Sequence, residues 1–66
     1  MKFYVQYFPI TKSFGYIANV DNISLDSFCE HVRVSDKFCQ SIVMSVFANS
    51  IRDVENDVNN YFKTIS

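Results

Sequence analysis

"FCQSIVMSVFA", residues 38–48, is the stretch on which the fold turns. It is apolar on every side. Ile42, Val43, Val46 and Phe47 favour a sheet. Met44, Phe47, Ile51, Val54, Val58, Tyr61 and Ile65 also recur at three- and four-residue spacings, as in a helix reaching back to Ser35. Periodicity alone admits both. A β-hairpin precedes the run, and a two-stranded sheet is marginal while three strands with helices bury more. The expected fold is therefore α+β, ordered β-β-α-β-α over a single small domain, 1–66. The alternative is β-β-α-α.

The hairpin spans residues 2–20. Phe3, Val5, Tyr7 and Pro9 alternate with Lys2, Tyr4, Gln6 and Phe8. Around Thr11, Lys12 and Ser13 there is no Asn-Gly of a tight turn, so a four-residue connection is expected. The return arm sets Phe14, Tyr16, Ala18 and Val20 against Gly15, Ile17, Asn19 and Asp21. With Tyr7 opposite Tyr16, the face carrying Phe3, Val5, Tyr7, Phe14, Tyr16, Ala18 and Val20 is core, and burial fixes the register. The opposite face carries Tyr4, Gln6, Phe8, Ile10, Ile17 and Asn19. It is half apolar, so a helix or a partner must cover it.

Two helices follow. Ser24 is a fair N-cap for residues 24–33, where Leu25, Phe28, Cys29 and Val32 make one face and His31 and Arg33 lie near the end. "NSIRDVENDVNNYFKTIS", residues 49–66, is amphipathic, with the stripe Ile51, Val54, Val58, Tyr61, Phe62 and Ile65. Ser50 and Asp53 form a start resembling a capping box.

Composition narrows the function classes. The 66 residues are 48% hydrophobic, 17% aromatic and 20% charged, far from a disordered chain. The net charge of −1 carries neither the basic footprint of a nucleic-acid binder nor the acidic excess of a DNA mimic. "MKFYVQYFPI" contains Gln6 and Pro9 and alternates like a strand, unlike a signal peptide. No apolar run has the length of a membrane span. A soluble, cytoplasmic protein is expected.

Catalytic chemistry finds no support. There is one histidine and no phosphate loop or nucleophile motif. Cys29 and His31, two apart, point different ways on a helix. Cys29, His31 and Cys39 are at most three metal ligands on no standard zinc spacing, so the cysteines read as small buried hydrophobes. Asp53, Glu55 and Asp57 read as a solvated face. No enzyme, cofactor or metal is expected.

"KSFGYIAN", residues 12–19, is similar to the basic–aromatic octamer of RNA-recognition sheets at Lys12, Phe14, Gly15, Tyr16 and Ile17, but not at Ser13 and Asn19. "QYFPITKSFGYI", residues 6–17, and "DSFCEH", residues 26–31, resemble stretches of the cold-shock domain, a glycine-rich all-β barrel. That resemblance covers residues 6–31 and implies that Tyr7, Phe14, Tyr16 and Phe28 stack bases. The single glycine and the helix-like end depart from it. Residues 11–20 are accordingly read as the return arm of a structural hairpin.

The function expected is a small non-catalytic interaction module, a regulator or inhibitor of a larger protein, of the kind phages and mobile elements encode. Its partner-binding residues are expected to be Tyr4, Gln6, Phe8 and Ile17, with Arg52, Asp53, Asn56 and Asn60 as the polar rim. One alternative is a single-stranded nucleic-acid binder using Lys2, Lys12, Phe14 and Tyr16. Another is a structural homodimer joined through the stripe from Met44 to Ile65.

Overall fold

The computed structural model describes residues 1–65 and runs β1 (Lys2–Phe8), β2 (Ser13–Asn19), α1 (Leu25–Ser35), β3 (Ile42–Phe47), α2 (Ile51–Ile65). This is the expected β-β-α-β-α order, and the helical alternative for residues 42–47 is excluded. The sheet order is β2-β1-β3, with both pairings antiparallel. One helix packs on each face.

Residues of alternate parity on β1 serve the two helices. Phe3, Val5 and Tyr7 are buried with Val54 and Val58 of α2, and Phe14, Ile17, Met44, Val46, Ala48 and Phe62 pack around them. The Tyr7 ring lies 4.7 Å from Phe62 and 5.1 Å from Phe14, centroid to centroid. On the other face Phe28 of α1 is fully buried between Tyr4, at 5.5 Å, and Tyr16, at 5.1 Å. Burying such a ring stabilises by about 1.5–3 kcal/mol, and it is the one buried side chain of α1.

Both helix starts follow the local signals. Ser24 Oγ accepts from the Ser27 N–H at 3.2 Å, and Ser50 Oγ accepts from the Asp53 N–H at 3.2 Å. Helix α1 runs two residues past the expected end, to Ser35. In the α2 stripe Val54 and Val58 are buried and Phe62 half-buried, whereas Ile51 and Tyr61 are largely exposed. The Ile65 side chain, expected in the stripe, lies outside the described residues.

Pairing with β1 makes residues 42–47 a strand and not the start of the last helix, and Asp36 ends α1 ahead of it. Its backbone leaves the helical region, and its carboxylate accepts from the N–H groups of Gln40 (3.0 Å) and Ser41 (2.8 Å) and from the Ser41 hydroxyl. The chain is thereby reversed within residues 36–41, and β3 begins at Ile42.

The hairpin loop has the expected four residues, 9–12, with Lys12 in the left-handed region at φ 56°. The register differs from expectation. Tyr7 faces Phe14, not Tyr16, and Val5 faces Ile17. Gly15 and Tyr16 therefore lie together opposite Gln6, forming a β-bulge. The inserted residue shifts the phase of β2. Phe14 and Ile17 fall on the α2 face, Ile17 against expectation, while Tyr16 and Ala18, expected in the core with Phe14, turn to the α1 face.

The cause is Gln6, which is 2% exposed and whose Oε1 accepts from the Tyr16 N–H at 3.0 Å. A Cβ on residue 15 would sit 2.3 Å from that oxygen, so only glycine fits beside it. Gly15→Ala is expected to cost about 1–3 kcal/mol in urea unfolding. Gln6→Ala removes the obstructing amide, so the double variant should be more stable than additivity predicts, by on the order of 1 kcal/mol. Strict additivity would show that Gln6 is not what Gly15 accommodates.

Candidate interaction surface

The face expected to await a cover is covered by α1. Tyr4 is half-buried against Phe28. Gln6 turns wholly inward, and its Nε2 donates to Ser41 Oγ at 3.1 Å and to Ser35 Oγ at 3.4 Å. Ile17 lies on the opposite face because of the bulge, packed against the α2 core. Of the four, only Phe8 sits at a boundary, half-buried where β1 leaves the sheet.

The expected rim is separated from Phe8. β3 ends opposite the start of β1, since Phe47 pairs with Lys2, and α2 begins there. Arg52, Asp53 and Asn56 thus lie at the far end of the sheet, where Asp53 and Asn56 border a shallow polar hollow with Met1, Phe47 and Asn49. Asn60 is exposed farther along α2. The structure does not gather these residues and the hairpin residues into one patch.

The nucleic-acid candidates are divided as well. Lys2 and Lys12 stand at opposite ends of β1, and Lys2 Nζ lies 5.6 Å from the Phe47 ring centre. Tyr7 and Phe14 pack on the α2 face, Tyr16 and Phe28 on the α1 face. The four rings implied by the cold-shock resemblance form no common platform, and the fold is α+β where that family is all-β. The dimer stripe is also altered, because Met44 belongs to a strand and Val54 and Val58 are buried within the chain.

Among the remaining chemical groups, His31 is exposed on α1 with its ring 5.3 Å from Tyr16. Cys29 is half-buried, and Cys39, expected to be buried, is exposed at φ 52°. Both are free thiols. No three His, Cys, Asp or Glu among the described residues are grouped to hold a metal ion. No helix of the described residues is long and apolar enough to cross a membrane.

What sequence reasoning missed is an apolar end of the molecule. β1 ends and β3 begins at the same end of the sheet, so loops 9–12 and 36–41 emerge together. Ile10 and Phe38, on these loops, are each 82% exposed. Phe8 and Pro9 run up to Ile10 in the chain, Val34 is exposed near the end of α1, and Lys12 and Lys37 provide the charge. The signal was present in the sequence as Ile10 beside Pro9 and Phe38 beside Lys37, apolar residues inside turn segments. The sequence matches no protein-family model, no curated protein and no solved structure.

The loop that presents Phe38 depends on Asp36. The Ser41 hydroxyl holds its carboxyl below the ordinary 3.8; desolvation opposes this next most strongly, and the N–H groups of Gln40 and Ser41 add to the lowering. A depressed folded-state pKa contributes stability above the unfolded value, lost as pH falls through the folded one. The unfolding midpoint should therefore fall as pH drops below 3.8, and Asp36→Asn should flatten that part of the profile. An unchanged acid limb in Asp36→Asn would remove Asp36 from the account.

Proposed function

We propose that this chain is a small non-catalytic interaction module that regulates or inhibits a larger protein, docking through the loop end of its sheet. The observation that carries the reading is the pair Ile10 and Phe38, each 82% exposed on neighbouring loops. Scattered exposed apolar residues are ordinary, but two large ones on loops at the same end of the sheet, with half-buried Phe8 and Pro9, offer that end as an anchor. Lys12 and Lys37 on the same two loops favour a partner whose apolar depression is edged by carboxylates. The two loops are also held differently. Asp36 braces the one bearing Phe38, and the Thr11 and Ser13 hydroxyls bond at 2.6 Å across the other. An anchor held in place before binding loses less entropy on docking.

A non-catalytic role is supported by the dispersal of the reactive groups. His31 rests against Tyr16, Cys39 stands alone on a loop, and Asp36 is occupied by its own turn. A reducing cytoplasm suits an exposed free thiol. Short regulators of this kind, such as those phages and mobile elements encode, act by surface complementarity.

The test is affinity capture from host lysate, with and without nuclease treatment, using the wild type, Ile10→Ser and Phe38→Ser. Both positions are exposed, so stability should stay within about 0.5 kcal/mol. A protein held by the wild type and lost from both variants supports the reading. Equal retention by all three sinks this surface. Loss of every partner on nuclease treatment would return the role to nucleic-acid binding.

A further inference from the structure

We infer that the open edge of β3 pairs antiparallel with the same edge of a second copy, making a six-stranded sheet with its two-fold axis at Ser45. The inference uses the sheet edge rather than the loop end and stands independently of the docking reading above.

β3 has the sequence of an interior strand in an edge position. "IVMSVF" is apolar on both faces and contains no charge, proline or glycine. Edge strands ordinarily carry charges, prolines or bulges that deter pairing. The other edge, β2, has such a feature in its bulge at Gly15 and Tyr16. β3 pairs with β1 without a register shift, and Phe47 is left 76% exposed, with Ile42 and Val43 also in the open.

The backbone shows which groups face outward. The Ala48 N–H donates to the Met1 carbonyl at 2.8 Å, and bonded pairs alternate along an antiparallel ladder. Met44 and Val46 therefore direct their N–H and C=O groups towards β1. Val43, Ser45 and Phe47 direct theirs to the open edge. The occupant of this edge must supply an extended backbone.

A second copy of β3 fits without a mismatched pair. With the axis at Ser45, the outward-facing residues meet, Val43 against Phe47 and Ser45 against Ser45, with Met44 opposite Val46 between them. Every pair is apolar with apolar or serine with serine. Moving the axis to Met44 would set Phe47 opposite Ser41 and lose a bonded pair. The segment is close to a chemical palindrome about Ser45, as an isologous two-fold contact requires.

Side chains extend the contact beyond the strand. Ile42, Met44 and Val46 join Val58, Tyr61 and Phe62 along a groove of about 560 Å³ beside the edge. A standard interface takes about 800 Å² from each partner, roughly a sixth of the 4746 Å² surface here. Phe47 and Tyr61, 76% and 59% exposed, are the largest contributors available to it. Asp57 is the groove's single charged lining residue and is itself exposed, so pairing need not bury a charge on the strand. Once the β3 edges are joined, only the bulged β2 edges remain. The assembly stops at two.

Sedimentation equilibrium of the full chain tests this. The wild type should reach twice 7.7 kDa as concentration rises into the micromolar range. Ser45→Pro removes both backbone bonds at the axis but none to β1, so it should remain at 7.7 kDa with an unchanged circular dichroism spectrum. Ser45→Lys and Ser45→Glu should each associate more weakly, by up to about fivefold, while an equimolar mixture recovers the dimer. A wild type that stays monomeric overturns the proposal. So does a dimer indifferent to Ser45→Pro, or one whose charged variants show no preference for each other.

Discussion

The buried amide of Gln6 bonds to three other parts of the chain. Its oxygen accepts from the Tyr16 N–H, and its nitrogen donates to Ser41 and, at longer range, to Ser35. The relay has one direction, because the Ser41 hydroxyl passes its own proton towards Asp36. Turning the amide over would set its NH2 group against the Tyr16 N–H, donor against donor. Leaving such a group buried and unbonded costs several kcal/mol. The bulge, the end of α1 and the entry to β3 are thus tied to one side chain, and an apolar residue at position 6 would take from the Tyr16 N–H its acceptor.

The bulge redistributes the aromatic residues. Without it, Phe14, Tyr16 and Ala18 would fall on one face, as plain alternation predicts. With it, Tyr16 crosses to the α1 side and stacks on Phe28, and Ile17 takes its place in the α2 core. Each helix consequently finds an aromatic from β2 to pack against. This is why Ile17, chosen from the sequence for an outer face, is inside, and why Gln6 is not on a surface. Only the lone glycine at position 15 hinted at the shift, since the bond that sets it comes from a residue nine positions earlier.

What was legible was local. Ser24 and Ser50 cap their helices as the sequence suggests, the loop has its four residues, and Val54 and Val58 are buried where the helical period puts them. These depend on neighbours a few residues apart. The strand at 42–47 was ambiguous because its apolar pattern suits two periods. What settles it is the pairing with β1, which the Asp36 turn leads into, one carboxylate collecting three donors four and five residues on. The half-apolar face was also read correctly as needing a cover. That the cover is α1 and not a partner depends on Phe28 reaching between Tyr4 and Tyr16, a contact that periodicity does not specify.

The surfaces left over follow from the width of the layers. Strands are spaced about 4.8 Å apart, so three of them with their side chains are wider than the roughly 10 Å of one helix. α1 sits over β1 and β2. The α1-side residues of β3, Val43 and Phe47, therefore lie beyond its cover, although a strand apolar on both faces is suited to the middle of a sheet. Of the two helices described, one is taken up by each face. The apolar groups at the β3 edge are thus a geometric consequence of this architecture, whereas Ile10 and Phe38, which no layer would cover in any case, are not. That difference separates the edge proposed to pair with another copy of the strand from the loop end proposed to meet a different protein.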